Sequence, residues 1–143
     1  MIAFDTNVLV YAHRRDSRFH DAASASVRSH AESGRPWAIP APCLHEFLAV
    51  ATHQRIYSPP STMDVARLQL RMWLESPTLV VLAEGEGYWA VLDDILAKAN
   101  VSGPRVHDAR IAALCVFHGV DKLLSADRDF GRFPELRVEN PLV

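Results

Sequence analysis

The sequence predicts an α/β domain built on a central, mainly parallel sheet of four to five strands with helices on both faces. Three observations carry this expectation. Short apolar, β-prone runs alternate with longer stretches of helical periodicity. The opening Met1-Ile2-Ala3-Phe4 has no polar residue, as expected of a strand buried on both faces. At 143 residues, 49% hydrophobic and 22% charged, the chain is long and apolar enough for one domain with a sizeable core.

The elements follow in order. After the opening strand, Asn7 to His13 reads as a short helix and Arg14 to Arg18 as a charged loop. A second helix, rich in alanine and serine, runs from about His20 to Ser33 and is closed by Gly34, a residue suited to a left-handed C-terminal cap. Trp37-Ala38-Ile39 is a short strand ended by Pro40 and Pro42. Helical spacing resumes from Leu44 to His53, with Leu44, Phe47, Leu48 and Ala51 on one face.

Tyr57 to Ser61 is a proline-rich loop. A cap at Ser61 or Thr62 opens a helix to about Glu75, whose expected buried stripe is Val65, Leu68, Met72 and Trp73. Pro77 precedes the β-prone run Thr78 to Leu82. Gly85 to Gly87 lead into a helix with Trp89, Leu92, Ile95 and Leu96 apolar. After a loop at Asn100 to Pro104, His107 to His118 forms an almost wholly apolar helix. Lys122 to Ser125 and Leu136 to Val138 complete the strands. No second domain or linker is expected within residues 1–143.

Composition narrows the function classes. Formal net charge is −2, so no basic tail points to nucleic acid, although an acidic site would offset arginines elsewhere. Of the 15 basic residues only Lys98 and Lys122 are lysine, and arginine is the better bidentate partner for phosphate. Cys43 and Cys115 each lie in an apolar helical pattern, which suits reduced, buried thiols and a cytoplasmic compartment. The N-terminus lacks the basic start of a signal peptide, and no apolar run is long enough to span a membrane.

The carboxylates are the informative residues. Asp5 ends the first strand, and an acid at the end of a buried parallel strand faces the crevice where open α/β sheets bind ligands. Glu46 interrupts an apolar helical pattern, flanked at helical spacing by Cys43, Ala49 and Val50. Asp108 lies in the first turn of the apolar helix, and Asp127 and Asp129 follow the strand that ends at Ser125. Each acid alone is explained by a cap, a turn or a solvated edge. Together they are not. The C-terminal ends of parallel strands and the N-termini of the next helices share one edge, so Asp5, Asp108 and Asp127 are expected to converge. Packed carboxylates raise one another's pKa unless a hard cation sits among them, and oxygen-only ligation suits Mg²⁺ or Mn²⁺. A zincin motif is excluded, because Ala49 stands where the second histidine after His45-Glu46 would be.

These residues resemble the PIN-domain nucleases, and among them the VapC toxins of bacterial toxin–antitoxin modules. The resemblance rests on Met1 to Asn7, the Glu46 helix, His107-Asp108-Ala109, Ser125 to Phe130 and the closing Phe133-Pro134-Glu135-Leu136 and Asn140-Pro141. It implies a single PIN-like three-layer α/β/α sandwich over residues 1–143. It also implies an acidic quartet at Asp5, Glu46, Asp108 and Asp127, with Asp129 auxiliary and Thr6, Asn7 and Ser125 lining the site. No acidic position of the pattern is missing. The resemblance further implies a Mg²⁺-dependent endoribonuclease, with Mn²⁺ as substitute, leaving a 5′-phosphate and a 3′-hydroxyl. The implied partners are RNA, a VapB-type antitoxin and a second copy of the chain, with no membrane.

Phosphodiester hydrolysis needs a nucleophile at neutral pH and compensation of charge on the phosphoryl oxygens, and divalent cations supply both. Asp5 and Asp108 are the expected principal ligands, with Asp127 assisting. Glu46 would bind a second metal or orient the attacking water. Arg14, Arg15, Arg18, Arg105, Arg110 and Arg128 are the candidates for phosphate contact. The aromatics Trp73, Tyr88 and Trp89 are candidates for a dimer face or antitoxin groove. Rival readings fit less well. A haloacid-dehalogenase phosphatase would have a second aspartate where Asn7 stands, and a receiver domain would have a lysine after a late strand, whereas Lys122 precedes it. A PIN-like binding module without catalysis is the remaining alternative.

Overall fold

The computed structural model describes residues 1–143. The chain runs β1 (Ile2–Phe4), α1 (Thr6–His13), α2 (His20–Ala31), β2 (Trp37–Pro40), α3 (Ala41–Ala51), α4 (Met63–Leu74) and β3 (Leu79–Leu82). It continues through α5 (Tyr88–Ala99), α6 (Val106–Phe117), β4 (Lys122–Leu124) and β5 (Val138–Glu139), with 3-10 turns at Gly103–Arg105 and Arg128–Arg132. The five strands form one sheet in the order β3-β2-β1-β4-β5, and every pairing is parallel.

This order positions the site. From β1 the chain steps one way to β2 and β3, then returns to the other side of β1 for β4 and β5. The direction reverses between β1 and β4, and such a reversal opens a crevice at the strand C-termini. Right-handed crossovers place α1 to α4 on one face of the sheet and α5 and α6 on the other. The packing agrees: α1 lies on α2 and α3, α3 on α4, and α5 on α6. No helix is long and apolar enough to cross a membrane.

The core is continuous and aromatic-rich. Ala3, Phe4, Ala38, Ile39 and Leu123 are fully buried on the central strands. Phe4 meets Trp37 edge-on at 5.9 Å, and Phe47 meets Trp73 at 4.8 Å, the offset geometries that aromatic quadrupoles favour. Ala109 and Ile111 to Cys115 bury the central part of α6. Both cysteines are free and buried, as expected.

Three local expectations need correction. Helix α3 starts at Ala41 rather than Leu44, because Pro42 sits in its first turn, where the missing N–H leaves no bond unmade. The last strand pairs at Val138 and Glu139, and Leu136 turns into the core instead. The larger difference is in α4. Thr62 caps this helix through its hydroxyl, and Trp73 is buried, but Val65, Leu68 and Met72 are 49, 51 and 60% exposed. The buried face is instead set by Ala66 and Trp73. Likewise Tyr88 and Trp73 are buried, which removes them as surface aromatics and leaves Trp89 exposed.

The packing predicts a contrast measurable by urea unfolding. Phe47→Ala, removing a fully buried ring between His13 and Trp73, is expected to cost about 3–5 kcal/mol. Leu68→Ala, with its side chain already half in water, is expected to change stability by no more than about 0.5 kcal/mol in dilute protein.

Candidate metal centre at the sheet edge

Asp5 is positioned by the sheet itself. Its amide donates to the Leu124 carbonyl at 3.0 Å, which extends the β1–β4 ladder by one bond, and its extended backbone then turns the chain into α1. Its carboxylate Oδ1 accepts from the Thr6 amide at 2.8 Å and lies 3.6 Å from the Cys43 thiol. Oδ2 accepts from the Ser125 hydroxyl at 2.7 Å and from Asn7 Nδ2 at 3.2 Å. The cap reading of Asp5 and its place in the crevice are therefore both true of one carboxylate.

The second strand end is built onto the first. Ser125 Oγ, besides donating to Asp5, accepts from the Asp127 amide at 3.0 Å. Asn7 Oδ1 accepts from the Ala126 amide at 3.1 Å. Asp127 in turn caps the following 3-10 turn by accepting from the Asp129 amide at 2.8 Å. Thr6, Asn7 and Ser125 thus form the polar scaffold that fixes where the acids stand. Thr6 Oγ1 also donates to Glu46 Oε2 at 3.2 Å, tying α3 to the same edge.

The acids share one cleft. Asp5, Thr6, Asn7, Glu46, Asp108 and Asp127 line a cavity of about 290 Å³. One carboxylate oxygen each from Asp108, Asp127 and Asp129 lies within 4.8 Å of the others. The sequence expectation that Asp5, Asp108 and Asp127 converge is met, and Glu46 joins them. Glu46 differs in one respect: it is exposed at the cleft rim rather than embedded in an apolar face, because α3 turns Ala49 outward beside it. Asp129 is exposed and lies 3.3 Å from Arg105 Nη1.

The electrostatics are those of uncompensated negative charge. Burial pushes the Asp5 carboxyl from 3.8 up to about 6, despite the hydrogen bonds from Ser125 and Thr6, and the Glu46 charge adds to the rise. Asp108 is raised first by burial, then by the charges of Asp127, Asp129 and Glu46, with Arg105 only partly opposing. Burial, followed by the Asp5 charge, holds the Cys43 thiol well above its ordinary value, so it remains a neutral donor. An oxygen-only donor set with clustered like charges fits a hard divalent cation.

Several arginines proposed as phosphate contacts are otherwise engaged. Arg14 is pinned by Asp16, Ser61 and the Pro59 carbonyl, and stacks 4.3 Å from the Tyr57 ring centroid. Arg110 pairs with Glu84 at 2.9 Å. Sequence reasoning does not mark the apolar lining of the same cleft, formed by Val10, Tyr11, Val50, Ile56, Tyr57 and Ile111. These come from four separate segments, so no local pattern picks them out.

The PIN domain family model matches residues 2–136 of this chain. The chain belongs to the PIN-domain family. As a PIN domain it is 32% identical over 142 residues to a VapC ribonuclease of Mycobacterium bovis, covering 99% of this chain and 96% of that one. It is also 32% identical over 139 residues to ribonuclease VapC48 of Mycobacterium tuberculosis, covering 96% and 95% respectively. The same PIN fold recurs in VapBC2 of Rickettsia felis bound to a promoter DNA fragment, at a TM-score of 0.70 and 19% identity over 98% of both chains. Mycobacterium tuberculosis VapC20, a Sarcin-Ricin loop cleaving toxin, matches at 0.68 and 17% identity over 96% of this chain and 99% of that one.

The raised Asp5 predicts an inverted pH dependence for the metal-free protein. Between about pH 4 and pH 6 the folded chain holds a proton on Asp5 that the unfolded chain has released, so the contribution of Asp5 to stability falls as pH rises through that window. Asp5→Asn removes this titration, so in EDTA the change in unfolding free energy from about pH 4.5 to pH 7 is expected to be more favourable in the variant than in the parent by about 1–3 kcal/mol. Urea titrations at the two pH values check this, and an equal change in both proteins would contradict it.

Proposed function

We propose that this PIN domain is a Mg²⁺-dependent endoribonuclease, the toxin of a VapBC-type module, with Mn²⁺ able to replace Mg²⁺. The observation that carries the reading is the convergence of Asp5, Glu46, Asp108 and Asp127 on one cleft, in a chain whose relatives are named ribonucleases. In this reading Asp5 and Asp108 are the principal metal ligands, Asp127 assists and Asp129 is auxiliary. The bound cation supplies Lewis-acid compensation of phosphoryl charge and a nucleophile available at neutral pH.

The remaining work belongs to the chain's own groups. Ser125 and Asn7 hold Asp5 Oδ2, and the Thr6 amide holds Oδ1, so the carboxylate keeps one orientation through the reaction. Glu46, steadied by the Thr6 hydroxyl and open to solvent, orients the attacking water and accepts its proton. The water oxygen bonds to phosphorus as the bond to the 3′-oxygen breaks, and solvent protonates that leaving oxygen, which gives a 5′-phosphate and a 3′-hydroxyl.

The VapB-type antitoxin is proposed from the solved VapBC complexes whose toxin shares this fold. A cytoplasmic location and a homodimer are part of the same reading, and the exposed apolar row Val65, Leu68 and Met72 on α4 supports the dimer.

Purified protein incubated with RNA and Mn²⁺ tests the function. Cleavage is expected with metal and not with EDTA, and Asp5→Asn and Asp108→Asn are each expected to abolish it while leaving the circular dichroism spectrum unchanged. Ser125→Ala, acting through Asp5 and the Asp127 turn that its hydroxyl positions, is expected to lose about 10- to 100-fold. Release of phosphate from small phosphoesters without RNA cleavage would favour the phosphatase instead.

A further inference from the structure

The cleft lining is of two kinds. Besides the acids and Ile111 of α6, it carries an apolar wall of Val10, Tyr11, Val50, Ile56 and Tyr57. An acidic metal centre alone has no need of that wall, yet Ile56 is left 53% exposed on it. The wall is also held still. The Tyr57 ring is stacked on by the Arg14 guanidinium, which is fixed by a two-point pair with Asp16 and by bonds to Ser61 and the Pro59 carbonyl. Tyr11 is braced against Phe19, with ring centroids 5.1 Å apart. Aromatic rings beside an exposed aliphatic side chain, immobilised before any ligand arrives, form a stacking platform rather than a collapsed core.

We propose that this wall is a nucleobase subsite, in which Tyr11, Ile56 and Tyr57 receive an unpaired base next to the scissile phosphate. The inference rests on the ribonuclease reading of the same cleft. A phosphodiester seated at the acids carries a nucleoside on either side, and all the aromatic side chains that line that cavity belong to this wall. Stacking needs the base out of a helix, so the subsite selects single-stranded or looped RNA. Arg14 thereby becomes a positioning residue: it reaches the substrate through the Tyr57 ring and not through phosphate.

Binding measured apart from cleavage tests the subsite. The Asp108→Asn protein, in buffer containing Ca²⁺, is titrated with fluorescein-labelled 12-nucleotide single strands of oligoadenylate and oligouridylate, and with an abasic ribose-phosphate strand of equal length. The base-bearing strands are expected to bind at least about tenfold more tightly than the abasic strand. Tyr57→Ala added to this background is expected to weaken their binding about 5- to 100-fold and leave the abasic strand unaffected, while Tyr57→Phe restores it. Ile56→Ala, at an exposed position, guards against a folding artefact and is expected to act in the same direction. Equal affinity for all strands, including no measurable binding of any, overturns the proposal. So does selective binding of an apolar peptide with RNA affinity unchanged by Tyr57→Ala. Failure of the parent protein to cleave any RNA with Mn²⁺ would instead overturn the ribonuclease reading.

Discussion

The structure depends on a bond between two strand ends. The Ser125 hydroxyl donates to the buried Asp5 carboxylate at the point where the sheet order reverses. Around that contact the Asp5 amide bonds to Leu124, Asn7 bridges to Ala126, and Ser125 accepts from Asp127. The crevice between β1 and β4 is therefore not merely left open by the topology. It is cross-linked by a few short polar side chains, and each of them either carries or orients an acid.

That arrangement costs stability in the metal-free state. A carboxylate whose ordinary pKa lies near 3.8 is pushed to about 6 because burial outweighs the hydrogen bonds it accepts from Ser125, Thr6 and Cys43. The N-terminus of α1 at Asp5 and of α6 at Asp108 offers partial positive charge, which offsets the repulsion without cancelling it. Among the side chains near the acids, Arg105 is the one cation within an ion-pair distance, and it lies on the outermost, Asp129. The remaining deficit of positive charge is what a divalent cation would fill. Sites of this kind are the usual place where a fold gives up stability for function.

Most of the fold was legible because its signals are local. Buried strands such as Ile2–Phe4 and Lys122–Leu124 are short apolar runs, and the cap at Thr62 and the left-handed Gly34 are single-residue signatures. The acids were legible for a related reason: parallel topology brings strand ends and helix starts to one edge whatever the loop lengths. The apolar stripe of α4 misled because periodicity reports that a helix has an apolar face, not what covers it. Val65, Leu68 and Met72 obey the pattern and face outward, while small Ala66 packs inward. The apolar wall of the cleft was invisible for the opposite reason. Tyr11, Val50 and Tyr57 belong to different segments and become neighbours only once α1, α3 and the following loop are packed.

Whether the clustered carboxylates hold a divalent cation is tested by differential scanning calorimetry of the parent protein and of Asp108→Asn, with and without Mn²⁺ at pH 7.5. A cation that binds only the folded state must raise the melting temperature with its free concentration, and the rise continues logarithmically above the dissociation constant. The account predicts a concentration-dependent rise for the parent protein that is lost in Asp108→Asn. An unchanged melting temperature in the parent, or an equal rise in both proteins, would contradict it.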